Sequence, residues 1–169
     1  MSVEQVLFYL FGAVALATAV LMILQRNPVM SAIYLIANFF CIAGLYLLLQ
    51  AQFLAVIQVV VYTGAIMVLV IFVIMLLNLG DEQKLAEQFS VKKVIGIVLA
   101  AGLLLEMLYV FGIAGDGSTP ALHPEAGSVG LAGTIGEALF GRFLLPFEIT
   151  SVLLLAAIVG AVVLAKKRI

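Results

Sequence analysis

The chain has 169 residues, of which 66% are hydrophobic and 10% charged. Its mean hydropathy is +1.33, whereas soluble domains carry about 25% charged residues, so the composition excludes a soluble globule and gives an all-α polytopic membrane protein. A net charge of −1 offers no basic surface to a nucleic-acid partner.

Five apolar segments reach spanning length: about 3–24, 28–49, 52–79, 91–113 and 143–165. The first follows an N-terminus whose only charge is Glu4. It lacks the basic region of a signal peptide and is longer than one, so it reads as a retained helix. The link Gln25-Arg26-Asn27 precedes Pro28, which suits the first position of a helix. In the second segment Cys41, the lone cysteine, sits in an apolar run and reads as a small hydrophobe without a disulfide partner. Tyr34, Asn38 and Tyr46 read as interhelical hydrogen-bond partners. The uncharged turn Gln50-Ala51-Gln52 forces an antiparallel neighbour.

The third segment contains an uncharged stretch from Phe53 to Asn78. A helix of about 26 residues rises roughly 39 Å, against a hydrocarbon core of about 30 Å, so this span is tilted or locally distorted. Gln58 and Tyr62, four residues apart, share one face of a regular helix. From Val56 to Thr63 the sequence is crowded with β-branched residues, which coil poorly, and Gly64 follows. That pattern marks a place for a π-bulge. The competing reading is that Gly64 admits a neighbouring helix and that the neighbour satisfies the polar pair.

The linker after the third segment carries Asp81, Glu82, Lys84 and Glu87 and belongs in water. The loop 114–142 is rich in Gly, Ser and Pro, and within it 129–140 reads as an interfacial helix with Leu131, Ile135 and Leu139 on one face. Its His123 has no second His or Cys nearby and is no metal or haem ligand. The fifth segment carries Ala157, Ala161 and Ala165, and Ala156 with Gly160, a small-residue face for another helix. The fourth has a shorter stripe, Gly96 and Ala100.

Basic residues set the orientation. Arg26, Lys84, Lys92, Lys93, Lys166, Lys167 and Arg168 fall on one side and only Arg142 on the other. The N-terminus and the loop 114–142 therefore face out, and the C-terminus is cytoplasmic.

Two acids lie inside apolar segments, Glu106 and Glu148. A carboxylate at a membrane helix centre costs about 2.5–3.5 kcal/mol. Glu106 reads either as a paired or protonated carboxyl near the outer boundary or as one station of a proton path. For Glu148 the structural alternative is snorkelling or pairing with Arg142. Gln58 and Tyr62 can line a water path but cannot drive protons along it. No phosphate-cradling motif and no nucleophile–base pair is evident.

The runs NPVMSAIYLIANFFCIAGLYLLL and FLAVIQVVVYTGAIMVLVIFVIMLLNL, and the tail LPFEITSVLLLAAIVGAVVLAKK, resemble subunit J of respiratory complex I, the NADH dehydrogenase subunit 6 family. The resemblance covers the chain in length, number and order of segments. It implies a membrane-arm subunit of a proton-pumping NADH:quinone oxidoreductase in the bacterial inner membrane, set against subunits A, H and K. It also implies that this chain holds no redox centre, with quinone, NADH, FMN and iron–sulfur clusters in other subunits. The family's third span can hold a π-bulge near the segment here formed by Tyr62, Gly64 and Ala65. In that family, loss or rotation of the bulge is associated with opening and closing a water path from the quinone cavity to the central proton axis. Gln58, Tyr62, Thr63, Gly64 and Ala65 are thus the candidate coupling residues. Some members carry glutamate where this chain has Gln58, so only a water-holding role carries over. Glu148 matches the acidic position of the family's last span, and Glu106 matches no family motif. Rival readings are a packing subunit of this or a hydrogenase- or ferredoxin-linked complex, and an ion transporter. Against a transporter stands the lack of inverted repeats, since five spans cannot be halved.

Overall fold

The computed structural model describes residues 2–77, 91–113 and 126–166. The expectations for the linker at 80–90, for His123, and for Lys167 and Arg168 lie outside those residues. Among the described residues the regular structure is entirely helical. Helix α1, Val3–Leu24, starts at a capping box in which Ser2 and Gln5 satisfy each other's backbone N–H groups. Helix α2, Pro28–Leu48, starts with the Asn27 side chain accepting from Val29 and Met30 N–H, and with Pro28 in the first turn.

Polar groups and small residues join these two helices, as expected where lipid removes the hydrophobic drive between helices. Asn38 Nδ2 donates to the Ala15 carbonyl at 2.7 Å and to Thr18 Oγ1 at 3.2 Å. Ser31 Oγ donates to the Met22 carbonyl at 2.7 Å. Ala32, Cys41 and Ala43 are buried, and a Cβ added at Gly44 would lie 2.9 Å from the Phe11 ring. Asn38 thus acts between helices as the sequence suggests. The Tyr34 and Tyr46 hydroxyls make no hydrogen bond among the described residues.

The third span is a continuous rod, Gln52–Leu77. It consists of α3, Gln52–Ile57, a π-helical segment, Gln58–Ile66, and α4, Met67–Leu77. Helix α5, Val91–Leu108, continues into a second π segment, Tyr109–Ile113, which the sequence reading does not contain. The expected interfacial helix is two pieces, α6, Ala126–Val129, and α7, Ala132–Phe140, broken at Gly130 and Leu131. Of its expected apolar face, Ile135 and Leu139 are half-buried and Leu131 is exposed. Helix α8 covers Leu144–Ala165.

Among the described residues, four helices are long and apolar enough to cross a membrane: α1, α2, the third span and α8. Val94–Leu108 within α5 is a shorter apolar stretch. Among the described residues, the helices that pack into a bundle are α1, α2 and the third span. Every described side chain from Val94 to Val110 is exposed, and no residue of α8 is buried. The small-residue stripes of α5 and α8 are therefore not buried by any described helix. At one end of the bundle, the Phe53 N–H donates to the Gly130 carbonyl at 3.0 Å. Gly130 is buried against the turn at Gln50, which has φ 61°, and a Cβ there would collide with the Gln50 carbonyl. The segment 126–143 thus sits at the same end as the turn between α2 and α3.

Candidate functional site

The π segment rearranges which side chains face the bundle. A π-helix closes its hydrogen bonds between residues five apart instead of four. At the end of the segment the Met67 N–H reaches the Tyr62 carbonyl. The Thr63 hydroxyl donates to the Gln58 carbonyl at 3.0 Å, again across five residues. The buried positions of the third span are Ala55, Gln58, Thr63 and Met67, at steps of three, five and four. The five-residue step is the π geometry expressed as burial.

That step separates the pair that α-helical spacing puts on one face. Gln58 is 8% exposed, while Tyr62 is 46% exposed. Thr63, not Tyr62, is the buried companion of Gln58. Tyr62 instead sets its ring edge-on to Phe39 of α2, at 6.1 Å and 79°. Ala65 is exposed. The Gln58 amide has no hydrogen-bond partner among the described residues. The residue is nearly buried but its amide atoms reach the surface of the chain, and an amide with free donors and acceptors is a group that can hold water.

Gly64 follows Thr63 for a reason internal to its own helix. A Cβ there would lie 3.3 Å from the Val59 carbonyl, five residues back, and no atom of another described helix comes within 4 Å. Among the described residues, the neighbouring-helix explanation of Gly64 therefore has no atom to support it. The β-branched run Val59-Val60-Val61 before it disfavours regular coiling, and glycine tolerates the widened turn.

Beside the π segment lies a groove of about 430 Å³ lined by Phe11, Phe40, Gly44, Ala55, Val56 and Val59, among other apolar residues. It offers no polar partner to a water molecule, which needs two to four. The polar side of the segment is the Gln58–Thr63 side.

The two acids stand apart from this site. Glu106 is exposed on α5, and Glu148 is exposed on α8. The expected pairing of Glu148 with Arg142 does not occur: the Arg142 guanidinium lies over the Phe143 ring at 5.5 Å from its centroid. Arg142 lies in the turn before α8, outside the helix that carries Glu148, and its guanidinium settles on the ring of the adjacent residue. Among the described residues neither acid has a side-chain partner.

These features define an integral membrane chain whose main irregularity is a widened third helix. The family model for NADH-ubiquinone/plastoquinone oxidoreductase chain 6 matches residues 18–164, and the chain belongs to that family. It is 37% identical over 168 residues to the NAD(P)H-quinone oxidoreductase subunit 6 of the Paulinella chromatophora organellar chromatophore, covering 97% of this chain and 78% of that one. It is 38% identical to NAD(P)H-quinone oxidoreductase chain 6 of a Nostoc species, covering 98% and 80% of the two chains. It is 35% identical to NADH-quinone oxidoreductase subunit J of Escherichia coli, covering 91% and 82%.

Proposed function

We propose that this chain is a membrane-arm subunit of a proton-pumping NADH:quinone oxidoreductase, and that its third span couples quinone reduction to proton translocation by changing between π and α coiling. The π segment at Gln58–Ile66 carries this reading. Were its hydrogen bonds to close at four residues with α3 held in place, the inward positions after Gln58 would be Tyr62 and Ile66 instead of Thr63 and Met67. The switch thus exchanges a hydroxyl that caps a carbonyl for a phenol beside the Gln58 amide. It thereby makes or breaks a place for ordered water. Gln58, Tyr62, Thr63, Gly64 and Ala65 act by shaping that place, and neither Gln58 nor Tyr62 drives the protons.

In this reading the chain spans a bacterial inner membrane five times, N-terminus out and C-terminus cytoplasmic, and assembles with A-, H- and K-type subunits. Quinone, NADH, FMN and iron–sulfur clusters work in other subunits. The test is Gly64→Val in the assembled complex. Its added carbons crowd the Val59 carbonyl in the π form. Quinone reduction is expected to continue while protons translocated per electron fall by about half or more, since strain at a switch position costs of order 1–3 kcal/mol. An unchanged ratio in an assembled Gly64→Val complex would reduce the span to a packing element.

A further inference from the structure

We propose that the face of α5 bearing Gly102, Glu106 and Tyr109 docks on a membrane helix of another subunit, one that presents a lysine or arginine at the depth of Glu106. The inference is independent of the coupling role of the third span. It starts from a carboxyl in the wrong solvent. Glu106 lies about 11 Å of helical rise from Ile113, inside an apolar segment. Its short stem cannot carry the charge to the interface as a lysine or arginine stem does. A carboxylate at such a position costs about 2.5–3.5 kcal/mol unless it is compensated.

Nothing among the described residues compensates it. Glu106 has no ion pair or side-chain hydrogen bond among the described residues, and its helix packs on no other described span. Arg142, the one basic residue that the charge pattern puts near the same end, is turned onto Phe143.

The surroundings of Glu106 select the chemistry of the partner. Gly102 lies one turn before it on the same face, and a Cβ there would meet nothing within 4 Å, so a foreign backbone has room to approach. Tyr109 lies one turn after it and is 60% exposed. A carboxylate and an aromatic face both attract a cation and neither attracts an anion. The second π segment opens at Tyr109 and widens the helix directly beside this patch. Glycine, acid and aromatic ring together describe a receptor for a basic side chain.

The test uses the purified, assembled complex. A photoreactive benzophenone amino acid replaces Leu103, next to Gly102, and the cross-linked peptide is sequenced by mass spectrometry. The expected product joins α5 to a membrane helix of a different subunit with a lysine or arginine within two turns of the cross-link. A product joined only to lipid, to this chain, or to a helix without such a residue overturns the proposal. In parallel, Glu106→Gln is expected to lower the yield of assembled complex by about tenfold or more, because the partner cation is left without its counter-charge, while Glu106→Asp keeps most of it. Neutralising the identified cation in the Glu106→Gln background is expected to restore assembly. Wild-type yield for Glu106→Gln, or no recovery in the double variant, also overturns it.

Discussion

The third and fourth apolar segments both contain π-helix, yet they sit in opposite surroundings. In the third, the π segment lies against α2, and its five-residue step decides which polar side chains are buried, Gln58 and Thr63. In the fourth, Tyr109–Ile113 extends a helix whose described side chains up to Val110 are all exposed. One irregularity is therefore held by packing within the chain. The other has its acid, Glu106, and its ring, Tyr109, exposed on a helix that no described span covers. The same local geometry serves an internal contact in one place and an external one in the other.

The sharpest way to break this comparison is at the clamp on the third span. Gly130→Val drives carbons into the Gln50 carbonyl and displaces the bond from Phe53 N–H to Gly130. It is expected to destabilise the bundle by about 2–4 kcal/mol, read by detergent titration of unfolding in mixed micelles. A loss below half a kcal/mol would mean that the third span is not anchored at that end. Asn38→Ala removes the bond from α2 to the Ala15 carbonyl and is expected to cost about 0.6–1.7 kcal/mol in the same assay. Thr63→Val keeps the shape but removes the bond to the Gln58 carbonyl. Its stability effect is the smallest, about 0.5–1.5 kcal/mol, and it is expected to favour regular coiling. That would appear as a smaller π population across 58–66 in spectra or maps of the assembled complex.

Much of this arrangement was legible in the residues. The length of the uncharged stretch and its β-branched run pointed to a distorted third helix ending near Gly64. Asn38 stood out as a polar group in an apolar helix, and Cys41 as a small hydrophobe. Four features were not legible, each for a physical reason. The burial of Thr63 in place of Tyr62 follows from a five-residue turn, which periodicity assuming 3.6 residues per turn assigns to the wrong face. The docking of Gly130 on the Gln50 turn is a contact between segments about 80 residues apart in sequence, and no local pattern encodes it. Arg142, in the turn before α8, lies over the ring of the adjacent Phe143 instead of pairing with Glu148 in the helix, a choice set by side-chain geometry. The second π segment had only Gly112 as a signal, and a lone glycine in an apolar helix more often marks close packing.

The central claim is that residues 58–66 exchange between two coilings. The direct measurement is a pair of maps of the complete complex, one at rest and one during turnover with NADH and quinone. The account expects Thr63 and Met67 to face the bundle in one, and Tyr62 and Ile66 in the other, with water beside Gln58 in only one of them. The same three-, five- and four-residue burial steps in both maps would contradict it.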